Sequence, residues 1–430
     1  MYIRKSLEIP ISIAFVISFV IFPDNNLLPV YAQEISFKDK YLSIEDAVNI
    51  AIQNSPLIQA KEHKVEAAKG KIKQATLIPN PVVNLVAEEV PTHEIGLNES
   101  QNMVSLSQKL ELGGKRRLRT DVAKKQKNIF DLDTQTTIWN IRAMTKKAFF
   151  DLLTAQDELN LAKKNFEIAM SLKNLSNKRF EAGDTSKLTV LKAKVELSNA
   201  KTNVVEAQRK MFNATKRLQT TMGTVGTPLQ KLVPIPVTDV QLLELEKLEG
   251  LLLRNYPALQ AQKSTVNLSL LRVKEAKRKR IPDINFSVGY KRLSATDDDT
   301  IQAGISLPLP FFNRNQGNII EAKELSHKAK DDETTVRNEL LLQLSNAFSM
   351  YASTRELVRS FLDTIVPMAE ESLDIARKGY KHGEYDFLEV LDAQRTLVIT
   401  NVSYLKTLND LFTSMTEIER LVGINISDIK

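Results

Sequence analysis

Glu389 and Asp392 stand three residues apart, near the start of a segment whose apolar residues recur mostly at threes and fours, from Phe387 to Phe412. Helical spacing puts both carboxylates on one face. If symmetry brought copies of such a pair together, they would attract cations and repel one another, favouring dilation or cation capture. An ordinary solvated helix face is the plainer reading of the same residues. Little else invites chemistry. His63, His93, His327 and His382 are scattered, the chain has no Cys, and no metal-ligand spacing occurs. There is no Gly-rich phosphate loop and no catalytic grouping stands out. The expectation is no enzyme, no cofactor and no specific metal site.

Two places look built for reversal of direction. Phe180 to Gly183 and Tyr380 to Gly383 each end a long charged helix pattern, with Arg179 just before the first and Tyr385 just after the second. Glycine there permits the left-handed turn that a tight helical hairpin needs.

The elements that carry these residues occur twice. Pro81 and Pro282, 201 residues apart, each open a short alternating segment after a charged helix pattern. Asn54-Ser55-Pro56 corresponds to Asn255-Tyr256-Pro257, and Ser105-Leu106 to Ser306-Leu307. Such spacing predicts a half-chain duplication, each copy reading helix, strand, strand, very long helix, turn, helix. Residues 33–223 form the first copy and 244–430 the second. A linker at 224–243 carries Gly226, Pro228, Pro234 and Pro236.

No Gly or Pro lies between Gly114 and Gly183. A helix over about 115–180 would be about 100 Å long, far beyond the globular norm. Its copy runs from Asn318 to about Lys378, with Pro367 as the expected kink. Helices at about 44–76 and 185–222, laid end on end, have the length to flank the first long helix.

Strands are expected at 82–90, 103–110, 284–291 and 300–309. In the third, Ile284, Phe286, Val288 and Tyr290 oppose Asn285, Ser287, Gly289 and Lys291. In the second, Gln108 breaks the apolar row, and in the first, Glu88 and Glu89 disturb the alternation. One mainly apolar face means half-buried strands. That fits two hairpins on a soluble core, or a membrane barrel. A membrane barrel needs about eight strands or more, so four per chain would require a dimer or a trimer.

Residues 1–32 read as a secretory signal. Arg4 and Lys5 precede an apolar run from Ile11 to Phe22, and Val30-Tyr31-Ala32 suits a signal peptidase. An uncleaved anchor is the alternative. Without Cys, neither disulfides nor an N-terminal lipidated Cys can form. The net charge is +7, but both signs are mixed along the helix patterns, which argues against nucleic acid as a partner. Basic runs at Lys115 to Arg119 and Lys274 to Arg280 flank strand ends. They suit either solvation or anionic lipid head groups.

The whole mature chain resembles the TolC family of outer-membrane efflux channels. The runs Leu106 to Arg116 (LSQKLELGGKR) and Leu307 to Asn318 (LPLPFFNRNQGN) look like its cobalt–zinc–cadmium branch. Gly379 to Gln394 (GYKHGEYDFLEVLDAQ) is similar to its periplasmic tip. The resemblance implies a mainly α protein, a homotrimer with a 12-stranded barrel in outer-membrane lipid and a 12-helix barrel in the periplasm. It implies a passive exit duct serving a periplasmic adaptor (membrane fusion protein) and an inner-membrane pump of the RND type. Metal cations are the expected cargo. Drug or type I protein export is the alternative within the family, and an exported coiled-coil rod without a pore is the alternative outside it. By the same resemblance, Glu389 and Asp392 match the acidic pair at the narrow periplasmic entrance. Arg179, Gly183, Tyr380, Gly383 and Tyr385 fall at the tip where an adaptor docks. The family's best-known arginine–aspartate lock is missing, since its places hold Tyr385 and Val190.

Overall fold

The computed structural model describes residues 41–90, 100–235, 243–294 and 296–426. The expected signal segment, Pro236 of the linker, His93 and most of the 91–101 loop lie outside the described residues.

The first half contains α1 (Ile44–Asn54), α2 (Pro56–Thr76), β1 (Val82–Glu88), β2 (Gln101–Leu110), α3 (Lys115–Glu181) and α4 (Lys187–Thr221). The second contains α5 (Leu245–Asn255), α6 (Pro257–Arg278), β3 (Ile284–Leu293), β4 (Asp298–Ser306), α7 (Gln316–Ser360), α8 (Val366–His382) and α9 (Phe387–Val422), with a π-helical turn at Phe361–Ile365 between α7 and α8. Where one helix was expected at 44–76 there are two. Ser55 is extended, at φ −73° and ψ 110°, and caps α2 by accepting from the Ile58 N–H. Its neighbour Pro56 disfavours the helical region at residue 55 yet suits the first turn of a new helix. Tyr256 and Pro257 make the same break in the second half.

α3 is 67 residues long and unbroken, which is about 100 Å. α2 lies along its first part, where Lys61 pairs with Asp133 at 2.6 Å. α4 lies along its later part, where Lys210 pairs with Glu158 and Arg217 with Asp151. Ala193, Ala200 and Ala207 are buried on α4 at seven-residue intervals, the period of a coiled-coil seam. Three separate apolar cores result. One joins α5, α7 and the end of α9 around Leu252, Leu344, Tyr351 and Leu421. The second joins α1, the middle of α3 and the end of α4 around Phe149 and Leu218. The third lies near the two reversals and draws on both halves. The linker packs beside the second core, where Leu42 donates its N–H to the Lys231 carbonyl at 2.8 Å and accepts from the Val233 N–H at 3.0 Å.

The strands form one antiparallel sheet in the order β1-β2-β3-β4. β2 pairs with β3 across the two halves, Val104 opposite Tyr290 and Leu106 opposite Val288. Cross-strand partners share a face. Leu85, Val104, Tyr290 and Ile301 therefore form one apolar row, and Val83, Leu106, Val288 and Ala303 the next. This face is exposed, with Ile301 at 82% and Leu85 at 75%. Glu88 does not spoil the alternation: it lies on the polar face and pairs with Lys291 at 3.1 Å. Val82 and Val86 are the residues out of pattern. Among the described residues no strand lies beside the free edges of β1 and β4.

At the sheet's helix-side end, Asp283 accepts from the Leu112 N–H and pairs with Lys115 and Lys109. Desolvation pushes its pKa up, but the hydrogen bonds from Lys115, Lys109 and the Leu112 amide outweigh it and hold the carboxyl below its ordinary value.

Candidate functional site

The two reversals lie side by side. α3 ends when Gly183 turns left-handed at φ +85°. Its N–H donates to the Phe180 carbonyl, and the Asp184 N–H reaches back to the Arg179 carbonyl at 2.7 Å. Gly383 repeats the geometry at φ +84°, with the Glu384 N–H on the Gly379 carbonyl at 2.9 Å. These bonds satisfy the last carbonyls of each helix. Ser186 caps α4 through the Thr189 N–H.

Arg179 ties one reversal to the other. Its Nη1 donates to the Tyr380 carbonyl at 2.7 Å, and its guanidinium lies 4.8 Å from the centre of the Tyr380 ring. A cation at the carboxyl end of α8 is favoured by the helix dipole, and the ring adds a cation–π attraction. Tyr380 is 2% exposed, its hydroxyl 3.1 Å from the Ser176 Oγ. It thus holds the pair of hairpins together from within, while Gly183, Gly383 and Tyr385 face outward. Gly379, which the sequence pattern gave no role of its own, is required by the same packing. A Cβ there would overlap the Tyr385 ring. A second glycine four residues before Gly383 was the available signal.

Asp386 and Glu389 form a reciprocal capping box at the start of α9. The Glu389 Oε2 accepts the Asp386 N–H at 2.9 Å, so one of its oxygens has a local structural task. Asp392 is exposed, one turn further on. Next to it, Gln394 is buried and donates to the Asn165 Oδ1 of α3 at 2.6 Å. Val190, which the resemblance puts at one position of the lock, is buried. Among the described residues no group of His, Asp and Glu could hold a metal ion, and no helix is long and apolar enough to cross a membrane.

Helical hairpins of this length, continuous with a sheet whose exposed face is apolar, define an outer-membrane channel class of protein. The chain belongs to the outer membrane efflux protein family, whose model matches residues 47–224 and again 248–424. It is 27% identical over 405 residues to the cobalt-zinc-cadmium resistance protein CzcC of Cupriavidus metallidurans, covering 93% of each chain. Its fold matches a crystal structure of CusC at TM-score 0.76 and 16% identity, over 91% of this chain and 96% of that one. The outer-membrane channel OprN matches at TM-score 0.74 and 20% identity, over 88% and 89%. The protein is therefore an outer-membrane efflux channel of the TolC type, its helices on the periplasmic side of the sheet.

Proposed function

We propose that three copies of the chain close a 12-stranded barrel and a 12-helix barrel, and that the duct passively passes metal cations outward. The observation that carries this is the open four-stranded sheet, with an exposed apolar face and two free edges. Unpaired edge groups cannot be left in lipid, and four strands cannot close alone. Copies of the same chain supply the missing neighbours at lowest cost in sequence. The exposed apolar residues along α7 and α8, among them Leu342, Leu357, Met368 and Ile375, fit the same assembly as helix-to-helix contacts.

The metal cargo is supported by the match to CzcC over 93% of both chains and by the acidic residues near the reversal. A periplasmic adaptor at the reversals and a proton-driven RND pump in the inner membrane complete the pathway. Of the acidic pair, Asp392 is the freer to face the passage, since Glu389 is partly engaged at its helix cap. With neither half of the usual arginine–aspartate lock present, closure at the tip relies on the Arg179–Tyr380 tie and the packing around it.

Light scattering in detergent combined with conductance in planar bilayers tests the reading. The expected result is a trimer giving discrete cation-preferring channels. A monomer retaining full strand content, or a trimer that conducts nothing, overturns it.

A further inference from the structure

Where the sheet meets the helices, three segments line an open cavity of about 1160 Å³. They are the Gly113-Gly114 turn with the first turn of α3, the last turn of α6 with Ile281-Pro282, and the connector from Leu309 to Arg314. Six lining side chains are cationic: Arg117, Lys274, Lys277, Arg278, Arg280 and Arg314. None of the lining residues is acidic. Lys115, Arg119 and Lys279 close by are each paired with a carboxylate. Among the described residues, no ion pair engages any of the six. Like charges gathered on one wall repel, and a counter-anion between them removes that cost.

The surroundings say what kind of anion. Phe311 and Phe312 lie exposed on the connector, Phe312 at 95%. They follow the point where the apolar sheet face ends, with Leu307 and Leu309 also exposed between. Aromatic side chains at the edge of an apolar band, with unpaired cations directly beside them, match the chemistry of a membrane–water boundary. A soluble anion has no use for the exposed rings, whereas a lipid occupies both surfaces at once.

We propose that this cavity binds the phosphodiester head group of an acidic phospholipid in the periplasm-facing leaflet, with Phe311 and Phe312 among its acyl chains. The site rests on the outer-membrane placement and is independent of the metal cargo. It would anchor the base of the barrel in a chain that has no Cys for a lipid anchor.

The test is lipid retention by the purified full-length protein in nanodiscs of mixed phosphatidylglycerol and phosphatidylcholine, read by native mass spectrometry after detergent extraction. The expected result is selective retention of phosphatidylglycerol. It should fall about tenfold or more in the Arg117→Gln, Lys277→Gln, Arg280→Gln, Arg314→Gln variant. Inorganic phosphate should displace it no more than chloride does at equal ionic strength. Equal retention of the two lipids, or unchanged retention in the variant, overturns the proposal. So does displacement by inorganic phosphate beyond that by chloride at equal ionic strength, which would make this a free-anion site. If the variant fails to assemble in a zwitterionic detergent free of acidic lipid, the cavity is a contact between copies and the proposal falls. Wild-type protein gives a second measurement: retention of phosphatidylglycerol must weaken with rising salt, and salt-independent retention contradicts head-group binding.

Discussion

The two long helical hairpins differ in one respect that governs how each can behave. α3 runs unbroken from Lys115 to Glu181, whereas the second hairpin reaches its reversal through α7, a π-helical turn at 361–365, and α8. The cause is local. Pro367 has no N–H to give, and the Val366 N–H bonds to the Phe361 carbonyl, five residues back. The second hairpin also carries the crowded Gly379–Tyr385 contact, while space around Gly183 is open. One hairpin is thus a continuous rod and the other a jointed one, locked near its end by Arg179 reaching over from the first.

The largest expected effect tests the crowding. Gly379→Val should cost about 1–3 kcal/mol, because the Tyr385 ring occupies the space. Hydrogen exchange across residues 376–390 should accelerate strongly while α3 stays protected. Equal acceleration at both reversals would erase the distinction between them.

Next come the reversal glycines. Gly183→Val or Gly383→Val faces a left-handed backbone penalty of about 1–2 kcal/mol. Outer-membrane trimer should persist, while adaptor cross-linking weakens and resistance to the exported substrate is lost. Normal transport in either variant would remove the reversals from adaptor docking.

A smaller effect separates the acidic pair. Asp392→Asn should reduce cation preference and weaken block by multivalent cations from the periplasmic side. Glu389→Gln should act less on conductance, and cost at most about 1 kcal/mol through its cap. The reverse ranking of the two variants would assign the entrance to Glu389.

The smallest change concerns the joint. Pro367→Ala restores a donor and should let ordinary helix replace the π-turn, slowing exchange at 361–366 with a stability change of about 0.5 kcal/mol. Unaltered exchange there would mean that packing, not the proline, sets the π-turn.

Much of this architecture could be read locally. The four strands fall at 82–88, 101–110, 284–293 and 298–306, within a few residues of the alternating stretches, because period-two patterning is written in near neighbours. α3 was legible from the absence of Gly and Pro. The break at Ser55 was signalled by Pro56 but overridden by the helical pattern around it. The capping role of Glu389 was likewise within reach, since Asp386 stands three residues before it. Burial of Tyr380 was not, because it depends on Ser176 and Arg179, some 200 residues away.

The sequence by itself determined which segments are helix and strand, where the chain reverses, and which sheet face is apolar, since each follows from local spacing and backbone preference. Only the tertiary structure decided what lies opposite what. It paired β2 with β3 across the two halves and set Phe150 of α3 on Phe412 of α9, ring centres 4.4 Å apart. It joined Asn165 to Gln394 and gathered six cations from three distant segments around one cavity. Contacts of that kind depend on how rods about 100 Å long register against one another, and a small axial shift would exchange every partner while leaving each local pattern unchanged.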